Sequence, residues 1–86
     1  MRPFTSPRFW THHGELPADA RRLADQNLGM LKRNPQHLSL HFRQIGRFWS
    51  VRVGLDHRSL AVEGPQALIW FWIGTYAEYD RLLKTG

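Results

Sequence analysis

The chain has 86 residues, of which 42% are hydrophobic and 13% aromatic, and it contains no cysteine. This length allows one domain with a single modest core, the apolar content excludes a disordered segment, and the lack of cysteine excludes disulfides and thiolate metal sites. Twelve lysine and arginine residues against seven acidic residues give a formal net charge of +5, and arginine, whose planar fork fits phosphate, supplies most of the cations.

Two helices are predicted in the first half of the chain. Ser6 is a favourable N-cap and Pro7 suits the first helical position, so a short helix is predicted up to Gly14. A second helix is predicted to begin at Pro17 and to stop at Asn34-Pro35, because the residue before a proline avoids helical geometry. Its apolar residues follow a helical spacing that forms one core-facing stripe: Ala20, Leu23, Ala24, Leu28 and Leu31.

The second half of the chain reads as strands. Apolar alternation predicts strands over 38–45, 48–53, 58–63 and 68–73, with Gly74 ending the last one, and 76–83 is predicted to form a short helix. Residues 1–5 are a candidate short edge strand. The predicted fold class is therefore α+β, with two N-terminal helices packed on a small antiparallel sheet of about four strands and a short C-terminal helix. The tryptophans are expected in the core: Trp10, Trp49, Trp70 and Trp72.

Two arginines stand near the end of the predicted central hairpin, where a purely structural hairpin would carry neutral polar residues. If 54–57 is a four-residue loop, Val53 pairs with Arg58 and Arg52 points to the opposite face of the sheet. A five-residue loop or a bulge would instead place both arginines on one face. The sequence leaves both registers open.

Several short motifs follow one another in a fixed order. Asn34-Pro35 ends the long helix, and Leu40-His41-Phe42 precedes the motif at 49–54. His57-Arg58 comes next, and 70–74 is followed by Glu78-Tyr79. In this order and over nearly the whole chain, these motifs resemble the RelE/ParE superfamily of type II toxins. The resemblance implies either a RelE-like ribonuclease that cuts mRNA in the ribosomal A site without a metal ion, or a ParE-like inhibitor of DNA gyrase.

The resemblance also implies roles for individual residues. Arg52 matches the basic strand residue that faces the RNA backbone, Arg58 the arginine that stabilises the scissile phosphate, and Tyr79 the C-terminal tyrosine used for acid–base chemistry or stacking. The chain departs from the pattern at His57, where relatives usually have tyrosine, and at Tyr76, where relatives often have histidine or arginine. The predicted catalytic residues are Arg52, Arg58, His57, Tyr76 and Tyr79, and the predicted nucleic-acid-binding residues are Arg43, Arg47, Arg52 and Arg81.

Cleavage of RNA by its own 2′-hydroxyl requires a proton acceptor, a positive clamp on the phosphorane and a donor to the leaving oxygen. Arg52 and Arg58 are expected to form the clamp, and His57 is the expected proton carrier because histidine titrates nearest neutral pH. Tyr76 or Tyr79 is expected to orient or stack a base.

The predicted function is thus that of a toxin acting as an mRNA endoribonuclease. A gyrase inhibitor and a non-catalytic RNA-binding module remain as alternatives. No cofactor or metal is expected. The expected partners are mRNA on the ribosome, or gyrase in the alternative, and a cognate antitoxin whose acidic segment covers the arginine face. The absence of cysteine, of a signal peptide and of a membrane-spanning segment favours a cytoplasmic location.

Overall fold

The structure is a computed structural model that describes the backbone of residues 4–85 and the side chains of residues 4–84. In chain order its elements are β1 (Phe4–Thr5), α1 (Pro7–Gly14), α2 (Ala18–Arg33), a short 3₁₀ helix (Leu38–Leu40), β2 (Arg43–Ile45), β3 (Phe48–Val53), β4 (His57–Glu63), β5 (Leu68–Thr75) and α3 (Tyr76–Thr85). The predicted α+β class is confirmed. No helix in the described part of the chain is long and apolar enough to cross a membrane.

The strands form one sheet in the order β1-β5-β4-β3-β2. Strands β2 to β5 pair antiparallel, as predicted, but β1 adds a fifth strand that runs parallel to β5. The prediction of about four antiparallel strands is therefore wrong in count and in direction at this edge. The edge strand expected within 1–5 is present at Phe4–Thr5, and the rest of that segment lies outside the described residues.

Local signals position the first two helices close to the predicted bounds. The Ser6 hydroxyl accepts a hydrogen bond from the Phe9 amide at 3.3 Å, which caps α1 as expected. Helix α2 follows Pro17 and ends before Asn34. Within its predicted stripe, Ala20, Ala24 and Leu31 are buried, Leu28 is half-buried and Leu23 is exposed.

Both faces of the sheet are covered, which explains why residues 68–73 of β5 are all apolar. Helices α1 and α2 pack on one face, where Trp70 is buried, and α3 packs on the other, where Leu60, Trp72 and Tyr79 form a second cluster. The prediction that Trp10 belongs to the core is wrong. Its side chain is 45% exposed, and its indole nitrogen donates to the Thr5 hydroxyl at 2.9 Å.

The strand predicted over 38–45 is also wrong in its first half. The His37 side chain accepts a hydrogen bond from the Ser39 amide at 3.2 Å, and this cap starts the 3₁₀ helix that buries Leu40. Only Arg43–Ile45 pairs with the sheet, as β2. At the other end of the sheet, β5 does not stop at Gly74, because Gly74 pairs with Arg58 and the following residue pairs with His57.

Candidate active site

The register of the central hairpin brings the two arginines together. Arg52 lies directly opposite Arg58, and Val53 lies opposite His57. The loop is therefore the three residues 54–56, with Gly54 in the left-handed region at φ 66°, which is shorter than either the four-residue or the five-residue loop that the sequence left open. Directly opposite residues in an antiparallel pair project their side chains to the same face. Of the two arrangements that the sequence left open, the structure therefore shows the one with both arginines on the same face of the sheet.

This pair lies in a surface pocket of about 130 Å³ on the face of the sheet that α3 covers. The volume is several times what one water molecule requires. The lining residues come from the segment before β2, from β2, β3 and β4, and from α3. They are His41, Arg43, Ser50, Arg52, Arg58, Tyr76 and Tyr79. No carboxylate is among these lining residues of the described chain, so the pocket is strongly cationic.

The Arg58 guanidinium is held from two sides. Its Nη1 donates to the carbonyl of His57 at 2.7 Å and to that of Leu55 at 3.4 Å. Its central carbon lies 4.8 Å from the centre of the Tyr76 ring, which is within the range of a cation–π contact. The Tyr76 amide also donates to the carbonyl of Asp56 at 2.8 Å. The hairpin loop and the start of α3 therefore fix this guanidinium and leave its remaining N–H donors for a ligand.

Arg52 is anchored through its backbone. Its carbonyl accepts a hydrogen bond from the Asn27 side chain of α2 at 2.8 Å. Arg52 is half-buried, and its guanidinium forms neither an ion pair nor a hydrogen bond with the residues that the structure describes. Like charges directly opposite each other destabilise a sheet. A purely structural role does not explain the Arg52–Arg58 pair, whereas a bound anion would stabilise both charges.

The start of α3 is fixed by a reciprocal cap. The Thr75 amide and hydroxyl donate to Glu78 Oε1 at 3.0 and 2.9 Å, and the Glu78 amide donates to the Thr75 hydroxyl at 3.2 Å. The hydrogen bonds from the Thr75 backbone and side chain hold the pKa of Glu78 below its ordinary value. This capping box orients the first turn of α3, which carries Tyr76 and Tyr79. Its Thr-x-x-Glu pattern is visible in the sequence but was not used in the prediction.

Tyr79 is the buried phenol of the pocket, with 4% of its surface exposed. Its hydroxyl oxygen accepts a hydrogen bond from the buried Ser50 hydroxyl at 3.0 Å. A phenol that accepts in this way keeps its own proton for donation. Ser50 was also missed by the sequence reasoning, although it shares a face with Arg52 by strand alternation.

Most of the predicted site residues, but not all of them, lie around this pocket. Arg43, Arg52, Arg58, Tyr76 and Tyr79 line the pocket, whereas three others do not. His57 pairs with Val53 and projects to the face that carries α1 and α2. Arg47 lies in the β2–β3 turn with its guanidinium 5.1 Å from the Phe48 ring, and Arg81 lines a separate depression beside Trp72.

His41 takes the place in the pocket that His57 was expected to occupy. His41 is part of the motif Leu40-His41-Phe42 that carries the family resemblance, but it is not among the predicted site residues. Within residues 4–85, no group of three histidine or acidic side chains is arranged to hold a metal ion. Finding His41 required the path of the chain between the 3₁₀ helix and β2, which no sequence motif specifies.

Solved structures with the same fold were found, although no protein-family model and no curated protein matches the sequence. A chain of the RelB–RelE antitoxin–toxin complex from Methanococcus jannaschii aligns with a TM-score of 0.69 at 14% identity, over 91% of this chain and 96% of that one. An E. coli RelE mutant in the free state aligns with a TM-score of 0.62 at 11% identity, over 96% and 94% of the two chains. The isolated E. coli RelE toxin aligns with a TM-score of 0.61 at 11% identity, over 96% and 95%. The chain therefore has the RelE toxin fold.

Proposed function

We propose that this protein is the toxin of a type II toxin–antitoxin system and that it cleaves mRNA. The observation that carries the proposal is the pairing of Arg52 with Arg58 across the hairpin, in a pocket whose described lining residues include no carboxylate. The RelE fold supports the toxin assignment.

The pocket offers the charge that RNA cleavage requires. Attack of a 2′-hydroxyl on the adjacent phosphorus adds negative charge to the phosphoryl oxygens, and preorganised donors that meet this charge lower the barrier. Arg52 and Arg58 supply two such donors from neighbouring strands, and arginine binds phosphate oxygens in a bidentate manner. The oxygen of Tyr79 accepts a hydrogen bond from Ser50, so the phenol keeps its own proton for donation to an oxygen in the pocket.

The margin of the pocket suits a single-stranded substrate. Arg43, exposed on the edge strand β2, adds a further phosphate contact beside the arginine pair. Tyr76 is 50% exposed, and an exposed aromatic ring offers a stacking surface for any base. The proposed substrate is therefore an unpaired stretch of mRNA, such as the one presented on a ribosome.

We also propose an antitoxin partner. The RelE chain from M. jannaschii was solved with the antitoxin RelB. In this chain the net charge of +5 and the cationic pocket complement an acidic segment, and the edge strand β2 is open to strand addition. The antitoxin is expected to cover Arg52 and Arg58. A mapped complex that leaves both guanidinium groups open would contradict this expectation.

The test is inducible expression in a bacterial host, followed by growth measurements and mapping of mRNA 5′ ends. The wild type is compared with Arg58→Ala and with Arg22→Ala, a control that removes an exposed arginine of α2. Growth arrest with new cuts at codon-periodic positions is expected for the wild type and the control, but not for Arg58→Ala. An equally toxic Arg58→Ala variant would refute the role of this arginine.

The same experiment separates the two alternatives. A gyrase inhibitor is favoured by one observation, namely Tyr76 at a position where relatives often carry a cation. It predicts growth arrest with intact mRNA and an accumulation of cleaved DNA complexes. A non-catalytic RNA-binding module predicts salt-sensitive RNA binding without growth arrest.

A further inference from the structure

The proposed cleavage needs a group that accepts the proton of the 2′-hydroxyl, and the composition of the pocket limits the choice. Arginine stays protonated, and a tyrosine hydroxyl ordinarily ionises far above neutral pH. Among the described residues that line the pocket, His41 is the one side chain of a type that titrates near neutral pH. His57 lies on the opposite face of the sheet.

The backbone fixes His41 between two anchored neighbours. Its amide donates to the carbonyl of Leu38 at 3.2 Å, at the end of the 3₁₀ helix. Leu40 before it is fully buried, and Phe42 after it packs against Trp49 with ring centres 5.1 Å apart. His41 itself is in the left-handed region at φ 45°, a conformation that is unfavourable for a non-glycine residue. The surrounding contacts thus hold the His41 backbone in one unusual conformation, with its side chain exposed at the pocket.

His41 stands where the pocket meets a second, open depression. The second depression is lined by 35–38 and Phe42 as well as by His41, so this residue borders both. The charged and titratable groups that line the pocket with His41 come from β2, β3, β4 and α3. They are Arg43, Arg52, Arg58, Tyr76 and Tyr79. In the second depression, the titratable neighbour of His41 is His37. A phosphate held by the arginines would therefore lie on one side of His41, with the open depression on the other.

We infer that His41 is the general base of the proposed ribonuclease, an assignment that rests on the proposed function. An imidazole nitrogen of His41 takes the proton of the 2′-hydroxyl while the 2′-oxygen forms a bond to phosphorus. The bond between phosphorus and the 5′-oxygen breaks, and this oxygen takes the hydroxyl proton of Tyr79. The products are a 2′,3′-cyclic phosphate and a 5′-hydroxyl. His41 then releases its proton to water, and Tyr79 regains one from water.

The test is the pH dependence of single-turnover mRNA cleavage on programmed ribosomes. His41→Asn is the main variant, because asparagine tolerates the left-handed backbone and does not titrate. His41→Gly leaves room for added imidazole. His37→Asn is the matched control, since it replaces the neighbouring histidine outside the arginine pocket by a residue that can also cap the 3₁₀ helix. Binding is measured with an RNA that carries a 2′-deoxy nucleotide at the cut site.

For the wild type and His37→Asn, the rate is expected to rise with pH through the histidine range and then to level off. His41→Asn should lose about 10²-fold or more in rate together with this rise, while still binding the 2′-deoxy RNA, and imidazole should restore cleavage in His41→Gly. A His41→Asn variant that keeps the cleavage rate or its rise with pH would overturn the assignment of His41 as the base, but not the proposed ribonuclease function. Loss of 2′-deoxy RNA binding in step with the rate would also overturn it. A wild type that cuts no RNA on any ribosome complex would refute the proposed function, and this inference with it.

Discussion

Replacing Arg52 by glutamine is expected to separate the function of the pocket from the stability of the fold. The Arg52 guanidinium has no ion-pair partner among the described residues, and it lies directly opposite Arg58. Arg52→Gln removes one of two facing positive charges but keeps most of the carbon chain of this half-buried residue. The free energy of unfolding should therefore stay the same or rise slightly, whereas cleavage should fall sharply.

Both magnitudes follow from the geometry. A like-charge pair directly opposite in a sheet costs about 0.2–1 kcal/mol, so the variant should gain at most that amount. Removing one preorganised donor to a developing oxyanion costs about 10²–10³ in rate, or roughly 2.7–4 kcal/mol of the activation free energy. A stabilised but inactive variant is the result expected for a residue whose charge serves a ligand and not the fold.

The assay combines urea unfolding, followed by circular dichroism, with single-turnover cleavage of mRNA on programmed ribosomes. Arg22→Gln is the control, because Arg22 is exposed on α2, with only a long ion pair of 3.9 Å to Asp19. If Arg52→Gln cleaves like the control, Arg52 does not belong to the clamp. If it loses more than about 1 kcal/mol of stability, the argument from like-charge repulsion is wrong.

Three further predictions concern the residues around the arginine pair. For binding of a 2′-deoxy RNA, measured by fluorescence anisotropy, Arg43→Gln should reduce the magnitude of the slope of log binding constant against log salt concentration by about 0.7, because one phosphate contact is lost. An unchanged slope would show that Arg43 does not contact the RNA backbone. Glu78→Ala should cost about 1 kcal/mol in urea unfolding at neutral pH through loss of the α3 cap. The pKa of Glu78 is lowered in the folded state, so the stability that this carboxylate contributes is fully present above the ordinary carboxyl pKa. It is lost as the pH falls through the lowered pKa of the folded state. A stability difference between wild type and Glu78→Ala that stays constant down to acid pH would contradict the cap. Gly74→Ala would place a Cβ 2.5 Å from the buried Trp72 ring and 2.9 Å from the Glu78 carboxylate, which should destabilise the fold by about 1–3 kcal/mol; an unchanged melting temperature would show that Trp72 can move.

The sequence predicted the parts of the fold that depend on local signals. Ser6-Pro7 and Asn34-Pro35 delimit helices because capping and proline geometry act over a few residues. Apolar alternation also predicted the strand over 48–53, which carries Arg52. These features do not need the rest of the chain.

The parts that the sequence did not determine depend on distant contacts. His57 belongs to β4 because it pairs with Val53 on one side and with Thr75 of β5 on the other, and the alignment of the arginines follows from that pairing. His41 enters the pocket because a capped 3₁₀ turn replaces the predicted strand there.

The central claim is that the arginine pocket promotes attack by the RNA's own 2′-hydroxyl. Its most direct test is the chemistry of the fragment ends, measured on mRNA cleaved by the wild type, together with cleavage of an mRNA that carries a single 2′-deoxy nucleotide at the mapped site. The account predicts 2′,3′-cyclic phosphate and 5′-hydroxyl ends, and no cut at the 2′-deoxy site. Fragments with 5′-phosphate ends, or a cut that persists at the 2′-deoxy site, would contradict it.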